Sequence, residues 1–108
     1  MKDPSLRRVA PSLDLIYFRY GEALLAANLP EKAAAQFLLG AAAVKAHEQL
    51  VTMSHLRAAQ ALDLAGKRQE ALAQYRITLL RPKVFDSRSE AARGLREQYR
   101  QTSSNNGR

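Results

Sequence analysis

An all-α fold of about five helices follows from three features of the sequence. Alanine and leucine dominate it, β-branched residues are few, and all four prolines lie at or outside the edges of segments with helical apolar spacing. Ser12 or Asp14 can cap a first helix running to about Ala27, and Asn28–Leu29 then breaks it. Pro30 and Glu31 open the second, with a proline where no N–H partner is needed and an acid at the positive end of the helix dipole. That helix is predicted to continue through Gln36, Phe37, Leu38 and Leu39 to about His47. A third runs from about Val51 to Ala65 and stops at Gly66, a residue suited to a left-handed cap. The fourth covers about Arg68 to Arg81, where Pro82 ends it. Ser87 followed by Glu90 reads as a capping box that opens a fifth helix reaching about Gln101.

The length of 108 residues suits one domain, large enough to bury a core without a metal or a disulfide. With 46% hydrophobic and 25% charged residues, the composition is that of a globular protein. The sequence has no cysteine, which excludes disulfide staples, thiolate metal sites and a cysteine nucleophile. Pro4 and Pro11 bracket a polar leader, so 1–11 is expected to be flexible, 12–101 to form the folded domain and 102–108, reading TSSNNGR, to be a disordered tail. The longest uncharged apolar stretch, Ala33 to Val44, is well short of the roughly 20 residues that span a bilayer, so no membrane span is expected. Met1 to Pro11 has bases with no apolar core behind them, unlike a secretory signal, and a cytoplasmic location is expected.

The net charge of +7 is unevenly distributed. Lys2, Arg7 and Arg8 stand against Asp3 in the leader, and residues 9–53 carry a slight acidic excess. Residues 54–83 hold Arg57, Lys67, Arg68, Arg76, Arg81 and Lys83 against Asp63 and Glu70, and 84–108 are again basic. Such a half can attract nucleic acid, an acidic protein or an anionic membrane, although bases spread singly also make an ordinary solvated surface. In the fourth helix, Ala71, Leu72, Tyr75, Ile77, Leu79 and Leu80 form the apolar face, with Arg68, Gln69 and Arg76 outside. The first helix is apolar on more than one stripe, which predicts burial on more than one side.

Aligning Asn28 with Gly66 reveals a repeat at a 38-residue spacing. One unit holds Tyr17-x2-Tyr20-Gly21-x2-Leu24 and then Ala33-x3-Phe37; the other holds His55-x2-Ala58-Ala59-x2-Leu62, then Ala71-x3-Tyr75, and Pro82. This pattern resembles the tetratricopeptide repeat over about Leu13 to Pro82. The resemblance implies two antiparallel helix pairs, with Gly21, Ala33, Ala59 and Ala71 allowing close approach and Phe37 and Tyr75 filling the gap between pairs. The family unit is about 34 residues, so the longer spacing predicts roughly one additional helical turn between units. Ala92-x2-Leu95-Arg96-x2-Tyr99 repeats half of the pattern and reads as a C-terminal capping helix with Arg93, Glu97 and Arg100 on its polar back.

No catalytic motif is present: no serine lies in a G-x-S-x-G elbow or an S-x-x-K, and the glycines are scattered. His47 and His55 are read as packing or surface residues, and neither a cofactor nor a metal is expected. Helix caps and surface pairs such as Arg19–Glu22 account for Asp14, Glu22, Glu31 and Asp63. The expectation is a non-catalytic adaptor. By the resemblance, the first helix of each pair lines a concave groove for a peptide or helix of a partner protein. Alignment puts Phe18 opposite Leu56, Arg19 opposite Arg57 and Glu22 opposite Gln60, a groove whose two arginines can hold a carboxylate. The excess apolar surface of the first helix, at Leu13, Leu15 and Ile16, suggests a homodimer or a docked partner. The alternatives are nucleic-acid binding through the bases of residues 54–83, and the terminal part of a longer repeat array.

Overall fold

The computed structural model describes residues 12–101; the flexible leader and disordered tail expected at 1–11 and 102–108 lie outside the described residues. The helices are α1 (Leu13–Ala26), α2 (Pro30–Ala41), α3 (Glu48–Leu64), α4 (Arg68–Leu80) and α5 (Ser87–Arg96), and the described residues contain no strand. Short connections force neighbours to run antiparallel, and each helix packs on the next. The α1–α2 and α3–α4 turns repeat one another. Asn28 and Gly66 have φ of 63° and 79°, and the residue after each closes a Schellman-type bond, Leu29 N–H to Leu24 O at 2.9 Å and Lys67 N–H to Leu62 O at 2.8 Å.

Beyond these sequential contacts, α3 packs on both α1 and α5, whereas the backbones of α2 and α4 stay apart and a Glu31–Lys67 ion pair reaches from α2 to the N-cap of α4. The array is therefore drawn together on the side of α1, α3 and α5 and splayed on the other. The core runs along α3, with Leu56, Ala58, Ala59 and Ala61 buried beside Phe37 and Tyr75. Both aromatic rings sit on glycines. A Cβ at Gly21 would lie 2.7 Å from the Phe37 ring, and one at Gly94 would lie 2.3 Å from the Tyr75 ring.

Two helices end earlier than expected. Helix α2 stops at Ala41 rather than near His47, although Ala42, Ala43 and Ala46 are good helix formers. The cause is tertiary. The buried carboxylate of Asp14 on α1 accepts the His47 backbone N–H at 2.8 Å and stands 3.0 Å from His47 Nδ1. Reaching it requires an irregular connection, with Lys45 at a φ of 60°. His47 then becomes the N-cap of α3, which gains Glu48–Leu50 ahead of the Val51 start. Between α2 and α3 the chain therefore has an irregular 42–47 connection, and three residues, Glu48–Leu50, are added to the start of α3. Helix α5 stops at Arg96 instead of Gln101, because Glu97 turns extended and carries Gln98 and Tyr99 back to Asp63.

Smaller corrections have equally local reasons. Ser87 and Glu90 do not form a capping box: Ser87 is buried and its hydroxyl accepts the upstream Val84 N–H at 2.9 Å. On α4 the assignments of Leu80 and Arg68 are reversed, since Leu80 is 87% exposed and Arg68 turns inward to Asp63. Helix α1 is buried on one side only, through Asp14, Gly21 and Leu25, while Leu13, Ile16 and Tyr20 are about half exposed.

Candidate partner-binding face

The side of the array where α1, α3 and α5 converge brings together most of the groove residues expected from the sequence. Arg57 on α3 reaches across to Glu22 on α1 with two parallel bonds, Nε to Oε2 and NH2 to Oε1, each 3.0 Å. Its NH1 donates to Gln60 Oε1 one turn along the helix. The guanidinium carbon lies 6.0 Å from the Phe37 ring centroid, and Phe18 meets that ring edge-on at 5.4 Å. Burial acts to lower the basicity of Arg57, but Glu22 and then Tyr99 beside it outweigh burial and raise it, so the cation is fixed. Glu22 is therefore the partner of Arg57, and the Arg19–Glu22 pair does not form. Arg19 is exposed, with no ion pair among the described residues, and is the one groove base uncommitted to an acid. Leu56 and Gln60 are buried, Leu56 in the core and Gln60 under Arg57; neither presents a surface to a partner.

Asp63, assigned to a cap or surface pair, is instead fully buried. Its Oδ2 accepts from Arg68 NH1 at 2.8 Å, from the Tyr75 hydroxyl at 2.8 Å and from the Tyr99 backbone N–H at 2.9 Å. Arg68 NH2 continues to Gly94 O at 2.7 Å, and Gln98 Nε2 donates to Asp63 O at 2.9 Å. One carboxylate thus joins α3, α4, the end of α5 and the extended segment after it. Burial and then the neighbouring Asp63 push the Tyr75 hydroxyl well above its usual pKa, so it remains a donor. Sequence reasoning missed this centre. The available signal was an acid set among Ala61, Leu62 and Leu64 with an arginine five residues on.

Asp14 plays the matching role at the other end of the array. Burial raises its pKa, but hydrogen bonds from Ser12, from the His47 N–H and ring, and from the Leu15 N–H outweigh burial and hold the carboxyl well below the usual range. It is no cap, and His47 is its partner. His55 lies within α3, with Nδ1 2.7 Å from Gln74 Oε1. Among the described residues no group of three or more His, Asp or Glu side chains converges to hold a metal.

Most acids are taken up in ion pairs. Lys67 meets Glu31 at 3.2 Å, Arg81 meets Glu48, and Arg93 lies near both Glu90 and Glu97. Glu70 and Asp86 are the acids left outside such pairs among the described residues, against Arg19, Lys32, Lys45, Arg76, Lys83, Arg88, Arg96 and Arg100. Of the six bases considered for nucleic acid, Arg57, Lys67, Arg68 and Arg81 are paired with acids. Of the residues considered for self-association, Leu13 and Ile16 are exposed, while Leu15 turns toward α3 and lines an apolar cleft with Leu50 and Met53. Among the described residues no helix is long and apolar enough to cross a membrane. Compared with family models, curated proteins and solved structures, the chain matches none of them.

Proposed function

We propose that the chain is a non-catalytic, tetratricopeptide-like interaction module that holds a peptide or helix of a partner protein on the face formed by α1, α3 and α5. The observation that carries this reading is the asymmetry of packing, in which α3 meets α1 and α5 while α2 and α4 stay apart. Helices arranged so curve toward one side and leave an inner surface that only the first helix of each pair lines. On that surface Arg57 is already satisfied by Glu22 and serves to set its shape, while Arg19 offers an unpaired guanidinium to a partner carboxylate.

The test is capture of partners from nuclease-treated lysate by the wild type and by Arg19→Glu, washed at low and at high salt. A protein retained through high salt by the wild type and lost with Arg19→Glu supports the reading. Capture indifferent to Arg19 removes the inner face as the site. If the protein instead retains nucleic acid when nuclease is omitted, and only at low salt, a screened phosphate contact replaces this reading.

A further inference from the structure

The end of the array where α1, α3 and α5 begin and α2 and α4 finish has a character of its own. Asp14–His47, Arg81–Glu48 and the Thr52 hydroxyl on Pro82 O tie the elements together there. Most of the large apolar side chains left exposed belong to this end: Leu13, Leu39, Val44, Leu80 and Phe85. The last three are far more exposed than the rest, at 80%, 87% and 84%. They stand on or beside the two connections, 42–47 and 81–86, that form the tip of the molecule.

The Phe85 position is informative. Its φ is 51°, a left-handed conformation that disfavours a bulky L-residue. The backbone adopts it because Val84 turns inward to 7% exposure, with its N–H held by Ser87 Oγ at 2.9 Å. The following side chain is thereby swung out into solvent. It borders an apolar cleft of about 320 Å³, which it lines together with Leu15, Leu50, Met53 and Val84.

Charge follows the same geography. Lys45 succeeds Val44, Lys83 lies between Leu80 and Phe85, and Arg88 follows in the first turn of α5, all without an ion pair among the described residues. Of the exposed acids nearby, Glu48 is tied to Arg81, and Asp86 alone is unpaired.

We infer that this tip is a docking surface for an anionic phospholipid bilayer, with Phe85, Leu80 and Val44 entering the interfacial region and Lys45, Lys83 and Arg88 meeting lipid phosphates. Convex apolar tips ringed by cations match the lipid interface, where an apolar body sinks and a charged end stays at the headgroups. A protein partner is the poorer fit, because Val44 and Leu80, at 80% and 87% exposure, stand at two different connections and line no pocket, and only Phe85 borders the cleft.

The 108-residue sequence contains no tryptophan, so a single introduced indole reports alone. Phe85→Trp is placed at the tip and Leu29→Trp in the α1–α2 turn at the opposite end, roughly 20 Å away along α1. Each is titrated with vesicles of phosphatidylcholine and of phosphatidylcholine mixed with phosphatidylglycerol, with circular dichroism verifying that the helices persist. The expected result is a blue shift of the Phe85→Trp emission on the anionic vesicles alone and none for Leu29→Trp. Vesicle partitioning of Leu80→Ser/Phe85→Ser in the otherwise natural chain should be at least about tenfold weaker, and partitioning of the wild type should fall with salt. Absence of a shift at position 85 overturns the proposal, even if the protein adheres to the vesicles through its bases. Equal shifts at both positions overturn it too. If the tip instead binds a protein partner, the vesicles leave position 85 unshifted and the bilayer assignment falls.

Discussion

Asp63→Ala tests the reasoning about the buried carboxylate most directly. The substitution strips an acceptor from Arg68, from the Tyr75 hydroxyl and from the Tyr99 N–H at once. Removing one member of a buried ion pair costs about 3–5 kcal/mol, and a charge-assisted hydrogen bond about 1.5–3 kcal/mol. These figures overlap and do not add. Arg68 is also 29% exposed and keeps its bond to Gly94 O, which favours the lower part of the range. We expect a loss of about 3 kcal/mol, a large share of the roughly 5–15 kcal/mol that stabilises a domain. In urea, with a slope of about 1–2 kcal/mol/M, the midpoint should move down by about 2 M. A double-mutant cycle with Arg68→Ala should return a coupling of at least about 1.5 kcal/mol, since the second change removes the cation that the first leaves stranded. Amide exchange at Tyr99 should accelerate in Asp63→Ala well below the unfolding transition. A loss under about 1 kcal/mol, or exchange at Tyr99 unchanged, would refute the carboxylate's role as the fastening of the C-terminal segment.

Four further outcomes are expected. Gly94→Ala places a Cβ in the ring of Tyr75, which is buried and anchored at its hydroxyl, and should cost about 1–3 kcal/mol in thermal denaturation despite the better helix propensity of alanine. Among the described residues the buried Ser54 hydroxyl has no hydrogen-bond partner, so Ser54→Ala should stabilise by about 1 kcal/mol in urea unfolding; a loss would mean that the hydroxyl is satisfied in solution. Asp14 titrates below its unfolded value, so its contribution is complete above the unfolded pKa of about 4 and is lost as pH falls below it; urea midpoints measured down to about pH 2 should show a shallower acid decline in Asp14→Asn. Phe85→Asn relieves a left-handed phenylalanine that contributes little packing, and calorimetry should find it stabilised by up to about 1 kcal/mol.

The helices were readable because their signals are local. Pro30, Gly66 and Pro82 act on their own backbone, and α1, α3 and α4 begin or end within a few residues of the positions these signals imply. The two late ends failed for a shared reason. At Ala41 and at Arg96 the chain leaves a helix that propensity would continue, because a carboxylate distant in sequence captures a backbone N–H, Asp14 taking that of His47 and Asp63 that of Tyr99. No local rule carries such a bond. The candidate face divides in the same way. Repeat alignment brought Arg57 and Glu22 to one surface, but whether Arg57 pairs with Glu22, and whether Leu56 faces in or out, depends on how α1 is rolled against α3.

The pairing of acids also decides how copies of the molecule regard one another. With a net charge of +7 and seven of the nine described carboxylates engaged inside their own fold, the chain behaves in solution as a small polycation. Two copies approaching through the exposed Leu13 and Ile16 must first overcome a mutual repulsion that reaches tens of ångströms in dilute buffer and shrinks to about 8 Å at physiological ionic strength. Added salt would therefore draw copies together while releasing any anionic surface, and the sign of the salt dependence distinguishes a self-contact from a contact with something acidic.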